Sequence, residues 1–224
     1  MPRAAGVLEL LDADRQDEAE LRDNLVDLEI INRLLGGAGP LVEAVLRRPV
    51  SSVVDVGSGG ADIPRALVRA ARARARNIRV TCVDQSDQML ALAKANSATY
   101  PEIDFVRADG TLLPFGDGSF DAAISAATLH HCEPAAAVSF LRELRRVARV
   151  APIVGDLRRT PAAYGGARII ALLSRNRLTK NDAPLSVRRS YTPREAYELA
   201  LEAGWRRPSV RPTAWFRLLL YDAA

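Results

Sequence analysis

Val53-Val54-Asp55-Val56-Gly57-Ser58-Gly59-Gly60-Ala61 is an apolar run that breaks into a glycine-rich turn, and a helical pattern begins near Ile63. A strand, a turn and a helix in that order bring backbone amides and a helix N-terminus to one point, where glycine lets a ligand come close. The turn alone is ambiguous. A dinucleotide-binding turn reads G-x-G-x-x-G and holds a pyrophosphate. Here Pro64, not glycine, lies near Gly57 and Gly59, and Asp55 sits at the strand end. A carboxylate in that place suits the ammonium of an amino acid, directly or through water, better than a phosphate.

Outward from this stretch, strand and helix signals alternate. Residues 78–83 read as a second strand, Ser86 caps a helix through Asn96, and 103–107 form a third strand. Residues 120–125 form a fourth, Pro134 opens a helix through Ala148, and 150–157 form a fifth. Such alternation predicts an α/β fold, Rossmann-like and doubly wound, with helices on both faces of a parallel sheet. Residues 209–221 supply two further strands joined near 212–215, giving about seven strands with a terminal antiparallel pair. Before them, Thr192-Pro193-Arg194-Glu195 spells a capping box with proline at the first helical position, and Gly204 ends that helix.

Two segments stand outside the alternation. Leu21, Leu25, Leu28, Ile31 and Leu35 recur at helical spacing before Gly36-Gly37, and Pro40 opens a second short helix ending near Pro49. Residues 1–49 are thus a helical segment suited to act as a lid, with the main domain over 50–224. Residues 158–191 are too long for a plain connection and are expected to carry a helix of their own, a second lid candidate.

Asp84 ends the second strand, where a carboxylate can accept both hydroxyls of a ribose. Asp109, beside Gly110, ends the third and can accept from an adenine amino group. Each acid alone also reads as a cap or a solvated turn. Three acids ending successive strands at nearly even spacing mark the carboxyl edge, where open α/β sheets bind ligands.

At this point the chain resembles the class I S-adenosylmethionine (SAM)-dependent methyltransferases, over about residues 50–157 and more loosely throughout. The matching pieces are Asp55-Val56-Gly57-Ser58-Gly59, Val83-Asp84-Gln85-Ser86, Ala108-Asp109-Gly110, Leu113-Pro114-Phe115, Ser119-Phe120-Asp121 and Leu129-His130-His131. The resemblance implies SAM as cofactor, with methionyl contacts at Asp55, Gly57, Ser58, Gly59 and Ala61. Ala61 stands where a third glycine is usual. It also implies ribose at Asp84 and adenine near Gln85, Met89, Asp109 and Gly110. Ser125 at the fourth strand's end joins the cofactor set, and Arg33 is a candidate for the SAM carboxylate. Leu129-His130-His131 resembles the branch that methylates quinones, sterols and other small molecules. Nitrogen-directed enzymes carry Asn or Asp and then Pro-Pro-Tyr/Phe after the fourth strand, where this chain has Ser125-Ala126-Ala127-Thr128. Asp156-Leu157-Arg158-Arg159 and residues 176–189 resemble a bacterial subgroup associated with polyketide-type biosynthesis.

On the acceptor side, a phenol or enol must lose a proton, and a histidine can titrate in the useful range. His130 and His131 are the only histidines. His130 is the first candidate base and His131 the second; the competing reading packs one of them over the cofactor. Asp156 is either a further base or the partner of Arg158 or Arg159. Arg158, Arg168 and Arg188 are candidates for an anionic acceptor group or an acyl-carrier phosphopantetheine. The expected reaction is methyl transfer to a small, largely apolar or aromatic acceptor, at a phenolic or enolic hydroxyl. C-methylation of a quinol-type ring and a non-catalytic SAM-binding module are the alternatives, and the glycine spacing disfavours an NAD-dependent oxidoreductase.

Composition bounds the rest. Hydrophobic residues make up 48% of the 224, enough for a substantial core. No apolar run reaches membrane-spanning length, and Glu9, Asp12, Asp14 and Asp17 interrupt any secretory leader pattern. Cys82 and Cys132 lack metal spacing, no metal-ligand set is visible, and Cys82 reads as a buried thiol in a reduced, cytoplasmic setting. The net charge of +4 rests on arginine, and the Arg69, Arg72, Arg74, Arg76 run reads as a solvated helix face. It lacks the aromatic or base-reading elements that nucleic-acid binding needs.

Overall fold

The parallel strands form because their apolar residues are buried on both faces, so each reads as a nearly continuous hydrophobic run. A computed structural model describes residues 1–13 and 15–223; Asp14 and Ala224 lie outside the described residues. The strands are β1 (Ser52–Val56), β2 (Arg79–Asp84), β3 (Ile103–Arg107), β4 (Phe120–Ala126), β5 (Ala148–Leu157), β6 (Pro208–Thr213) and β7 (Arg217–Asp222). Their order across one seven-stranded sheet is β3-β2-β1-β4-β5-β7-β6. The first five are parallel, whereas β7 runs antiparallel between β5 and β6. Chain order reverses beside β1, which makes the β1–β4 boundary the crevice where open sheets take ligands.

The helices are α1 (Glu18–Leu34), α2 (Gly39–Leu46), α3 (Asp62–Arg72), α4 (Asp87–Asn96), α5 (Pro134–Val147), α6 (Pro161–Leu173), α7 (Arg177–Arg189) and α8 (Pro193–Glu202). On one face of the sheet, Leu41, Val45, Leu67 and Val68 of α2 and α3 pack on Val53, Val80, Ile124 and Ile153. On the other, Leu141, Leu144, Leu199 and Trp205 pack on Val54, Val83, Val154 and Leu220. Local chemistry sets the ends: the Ser86 hydroxyl accepts the Met89 amide, and Thr192 and Glu195 form the expected capping box.

Three sequence expectations change. Helix α2, inside the segment expected to be a lid, packs in the core, so of residues 1–49 it is the stretch from Leu8 to Ala13 and α1 that border the sheet edge. The insertion after β5 carries two helices, α6 and α7, because Ser174 and Asn176 interrupt one helix and Asn176 caps the next. The arginine run is not simply solvated. Arg72 pairs with Glu102, Arg74 with Glu43, and Arg76 donates to the carbonyls of Leu46, Arg48 and Val50. Among the described residues, no helix is long and apolar enough to cross a membrane.

Candidate active site

The apolar stripe of α1 is shared between core and cleft: Leu21 is buried with Met89, Leu92 and Leu178, and Leu25 packs against them. Leu21, Leu25, Leu28, Ile31 and Leu35 line a cleft over the carboxyl edge, together with α7, the hairpin tip at Trp215-Phe216 and the glycine turn. The cleft measures about 1810 Å³, well beyond the ~300–1,000 Å³ of an ordinary single-ligand pocket. It has room for two molecules.

At one end lies the turn after β1. Gly57 has φ +74°, and a Cβ there would sit 2.4 Å from Thr128, so both backbone and neighbours demand glycine. Asp84 accepts the Gly59 amide at 3.0 Å with one oxygen and the Ser86 amide at 3.0 Å with the other, bracing the turn it faces. Gly110 is required by packing, since a Cβ would lie 2.7 Å from the Phe140 ring. Gln85, Met89 and Asp109 line the same end, although Asp109 also caps its own loop by accepting from Thr111. Asp55 lies just beneath, fully buried, with neither carboxylate oxygen hydrogen-bonded. Burial, then Asp62 and Asp84, push its pKa well up. Burial likewise raises Asp84 against the amides that favour its charge. A carboxylate cluster with unpartnered oxygens is suited to a ligand that brings positive charge.

Other expected cofactor residues do not reach the cleft. The buried Ser125 hydroxyl donates to the Val56 carbonyl at 2.8 Å and is structural. Ala61 is buried at φ +59° and starts α3. Arg33 is exposed and points away from the cleft lining, because it falls on the solvent side of the α1 stripe. The arginines that line this end are Arg65, which donates to the Gly60 carbonyl, Arg107, which donates to the Gln85 carbonyl, and Arg217, which donates to Asn32 at 2.9 Å, while Asn32 donates to Asp62. Arg158, Arg168 and Arg188 also lie outside the lining. No signal in the local sequence separates Arg217 from the other arginines.

A second group of ionisable side chains is built on the turn after β4. His130 Nδ1 lies 2.7 Å from Asp156 Oδ1, and His131 Nδ1 lies 2.6 Å from Asp12 Oδ1. Asp156 is therefore the partner of His130, while Arg159 pairs with Glu195. Burial alone would raise Asp156, but the His130 imidazole and the Leu157 and His130 amides hold its carboxyl below the ordinary range. Burial opposes ionisation of Asp12 too, yet His131 and Arg189 hold it well down. Glu9, 4% exposed, approaches both Nε2 atoms from above, and burial pushes its pKa up to about 7. The N-terminal segment carrying Glu9 and Asp12 is fastened to α7 by the Leu10 and Leu11 amides, which donate to Asp182. In the sequence these acids only interrupted a leader pattern; their place over the histidines is a tertiary fact.

Residues 54–151 match the methyltransferase domain family. That stretch is similar to methyltransferase domains. The chain is 31% identical over 193 residues, 79% of its length, to an uncharacterized 37.1 kDa protein in transposon TN4556 of Streptomyces fradiae, and covers 50% of that protein. Over 74 residues, 32% of the chain, it is 38% identical to the ubiquinone/menaquinone biosynthesis C-methyltransferase UbiE of Rickettsia prowazekii, covering 30% of it. The chain thus spans half or less of the curated relatives it matches. A SAM-dependent methyltransferase from Aquifex aeolicus shares the fold, with TM-score 0.64 at 20% identity over 92% of this chain and 98% of that one.

Proposed function

We propose that the protein transfers a methyl group from SAM to a small, largely apolar or aromatic acceptor, at a phenolic or enolic hydroxyl. The observation carrying this reading is the mixed lining of the cleft: glycines and strand-end acids from the sheet edge, and apolar side chains from α1 and α6. The unpartnered Asp55, the Asp84 carboxylate and the cradle at Gly57 and Gly110 fit an aminoacyl nucleoside bearing positive charge. When bound, SAM supplies an activated methyl group.

The chain's own residues bind, align and exclude water. Asp84 and Gly110 fix the nucleoside, and Asp55 with Asp62 draws the cationic portion toward β1. Leu25 of α1 packs over the turn, since a Cβ on Gly60 would meet it at 3.1 Å. The acceptor's hydroxyl gives up its proton at the group formed by His130, His131 and Glu9, the ionisable cluster after β4. Calorimetry with S-adenosylhomocysteine and NAD, followed by assay of a phenol panel, tests the reading. NAD binding without S-adenosylhomocysteine binding would overturn it. The partial similarity to a C-methyltransferase supports ring C-methylation as the second reading; NMR of the product distinguishes a new O-methyl from a C-methyl.

A further inference from the structure

Three hydrogen-bond acceptors meet at the turn after β4, and among the described residues no donor is hydrogen-bonded between them. A carboxylate beside Nδ1 of each imidazole, Asp156 for His130 and Asp12 for His131, places the ring proton on Nδ1. Each Nε2 then presents a lone pair. Both face Glu9: His130 Nε2 is 3.7 Å from Oε1 and His131 Nε2 is 3.9 Å from Oε2. These separations are too long for a shared proton. Glu9 Oε2 is oriented by the Ser186 hydroxyl at 2.8 Å, whereas Oε1 is buried and has no hydrogen-bond partner. Arg189 comes within 3.6 Å of Oε1 but is committed to Asp12 and the His131 carbonyl. Glu9, Asp12, Asp156 and Asp182 surround this point, with Arg189 the one buried guanidinium among them. Three lone-pair donors in excess negative charge are a site for a cation.

We infer that Glu9, His130 and His131 bind a divalent first-row transition ion such as Zn(II), through one carboxylate oxygen and the two Nε2 atoms. The candidate ligand atoms all lie within 4.8 Å of one another. Bonds of about 2.0 Å place the ligands of a tetrahedral site roughly 3.3 Å apart, so the three ligand atoms, within 4.8 Å of one another, draw together by up to about 1.5 Å when the ion binds. The supporting shell has the form metal sites use: each ligating imidazole donates its other N–H to a carboxylate. Imidazole nitrogens select a borderline transition ion over magnesium or calcium. Two histidines and one carboxylate leave positions free, and all three residues line the cleft.

The use of the ion rests on the acceptor reading above, although its binding does not. With the ion bound, the Nε2 lone pairs and Glu9 are taken up as ligands and no longer act as the base assigned to them above; an acceptor hydroxyl on a free position would instead lose its proton to solvent, at a lower pH than in water. Its oxygen is then the nucleophile, forming the new O–C bond as the methyl group's bond to sulfur breaks.

The test uses the full chain, stripped with chelator and titrated with Zn(II), and separately with Co(II), whose visible absorption reports imidazole coordination. One equivalent should bind, and His131→Ala and Glu9→Gln should each weaken Zn(II) binding at least about tenfold and abolish the Co(II) spectrum. Asp156→Asn should weaken it about 10–100-fold as a positioning change. Each variant's circular dichroism and S-adenosylhomocysteine affinity are measured alongside. Retained S-adenosylhomocysteine binding with no stoichiometric Zn(II) in the wild type, or with Zn(II) affinity unmoved by His131→Ala and Glu9→Gln, overturns the metal site alone. Zn(II) binding without S-adenosylhomocysteine binding overturns the methyltransferase reading and leaves the site standing.

Discussion

Asp156 Oδ1 lies 2.7 Å from His130 Nδ1, and the same carboxylate accepts the His130 backbone amide at 2.9 Å. One acid on β5 therefore fixes both the imidazole's tautomer and the turn that carries it. The pairing crosses from β5 to the loop after the neighbouring strand β4, so parallel register brings the two together. It leaves Nε2 as the reactive face of the ring.

Loss of that face should be costly for chemistry and neutral for the cofactor. His130→Ala is expected to lower turnover by roughly 10²–10⁴ while S-adenosylhomocysteine affinity stays within about twofold. The deficit should shrink as pH rises toward the acceptor's own pKa, because the acceptor then ionises unaided. Initial rates on an accepted phenol across pH check this; a deficit independent of pH assigns His130 a packing role.

Asp84→Ala should weaken S-adenosylhomocysteine binding by roughly 1.5–3 kcal/mol, the range for hydrogen bonds to a charged group. The change also frees the Gly59 and Ser86 amides, so part of the loss comes from a looser turn. Calorimetry measures it, and Asp84→Asn should recover a portion by keeping one acceptor. Unchanged affinity in a folded variant removes Asp84 from the site.

Leu28 lines the cleft from α1 and is only half buried. Leu28→Gln should raise the KM for an apolar acceptor about 10-fold or more, from a burial term of roughly 1.5–3 kcal/mol. Stability should move by no more than about 0.5 kcal/mol, as for a surface position. A large fall in Tm with an unchanged KM would place Leu28 in the core instead.

Asp121 ties β4 to the start of β1 by accepting the Ser51 amide at 2.8 Å, the Ser51 hydroxyl at 2.9 Å and the Ser52 amide at 3.1 Å. The Ser51 amide is the first of the contacts, with Arg149 adding to them, that hold the carboxyl well below its usual range. A depressed folded pKa stabilises above the unfolded value and loses that contribution as pH falls through the folded one. Asp121→Asn should therefore cost about 1.5–3 kcal/mol at neutral pH, with the gap to wild type narrowing below about pH 4. Urea melts at pH 7 and in acid read the difference.

The strands, their caps and the glycine turn were legible in the sequence because each depends on neighbours a few residues away. Val53 to Ala61 reads as strand, turn and helix start from apolar run, glycines and following periodicity alone. Thr192 and Glu195 cap α8 at a spacing of three. The strand-end acids at Asp55 and Asp84 followed from the same local order, since a parallel sheet puts every strand's end on one edge. What α1 does with its apolar stripe was not legible. Periodicity reports that a face is apolar, not whether it meets a core or a cleft, and this one meets a small core at Leu21 and a cleft along its length. Nor does spacing tell Arg33 from Arg217, because only the roll of α1 turns one to solvent and the placement of β7 turns the other inward. Likewise the pairing of His131 with Asp12, 119 residues away, exists only once the N-terminal segment is laid across α7. Local chemistry determined the sheet and its ligand edge; burial, charge and long-range closure decided which acids stand over the histidines.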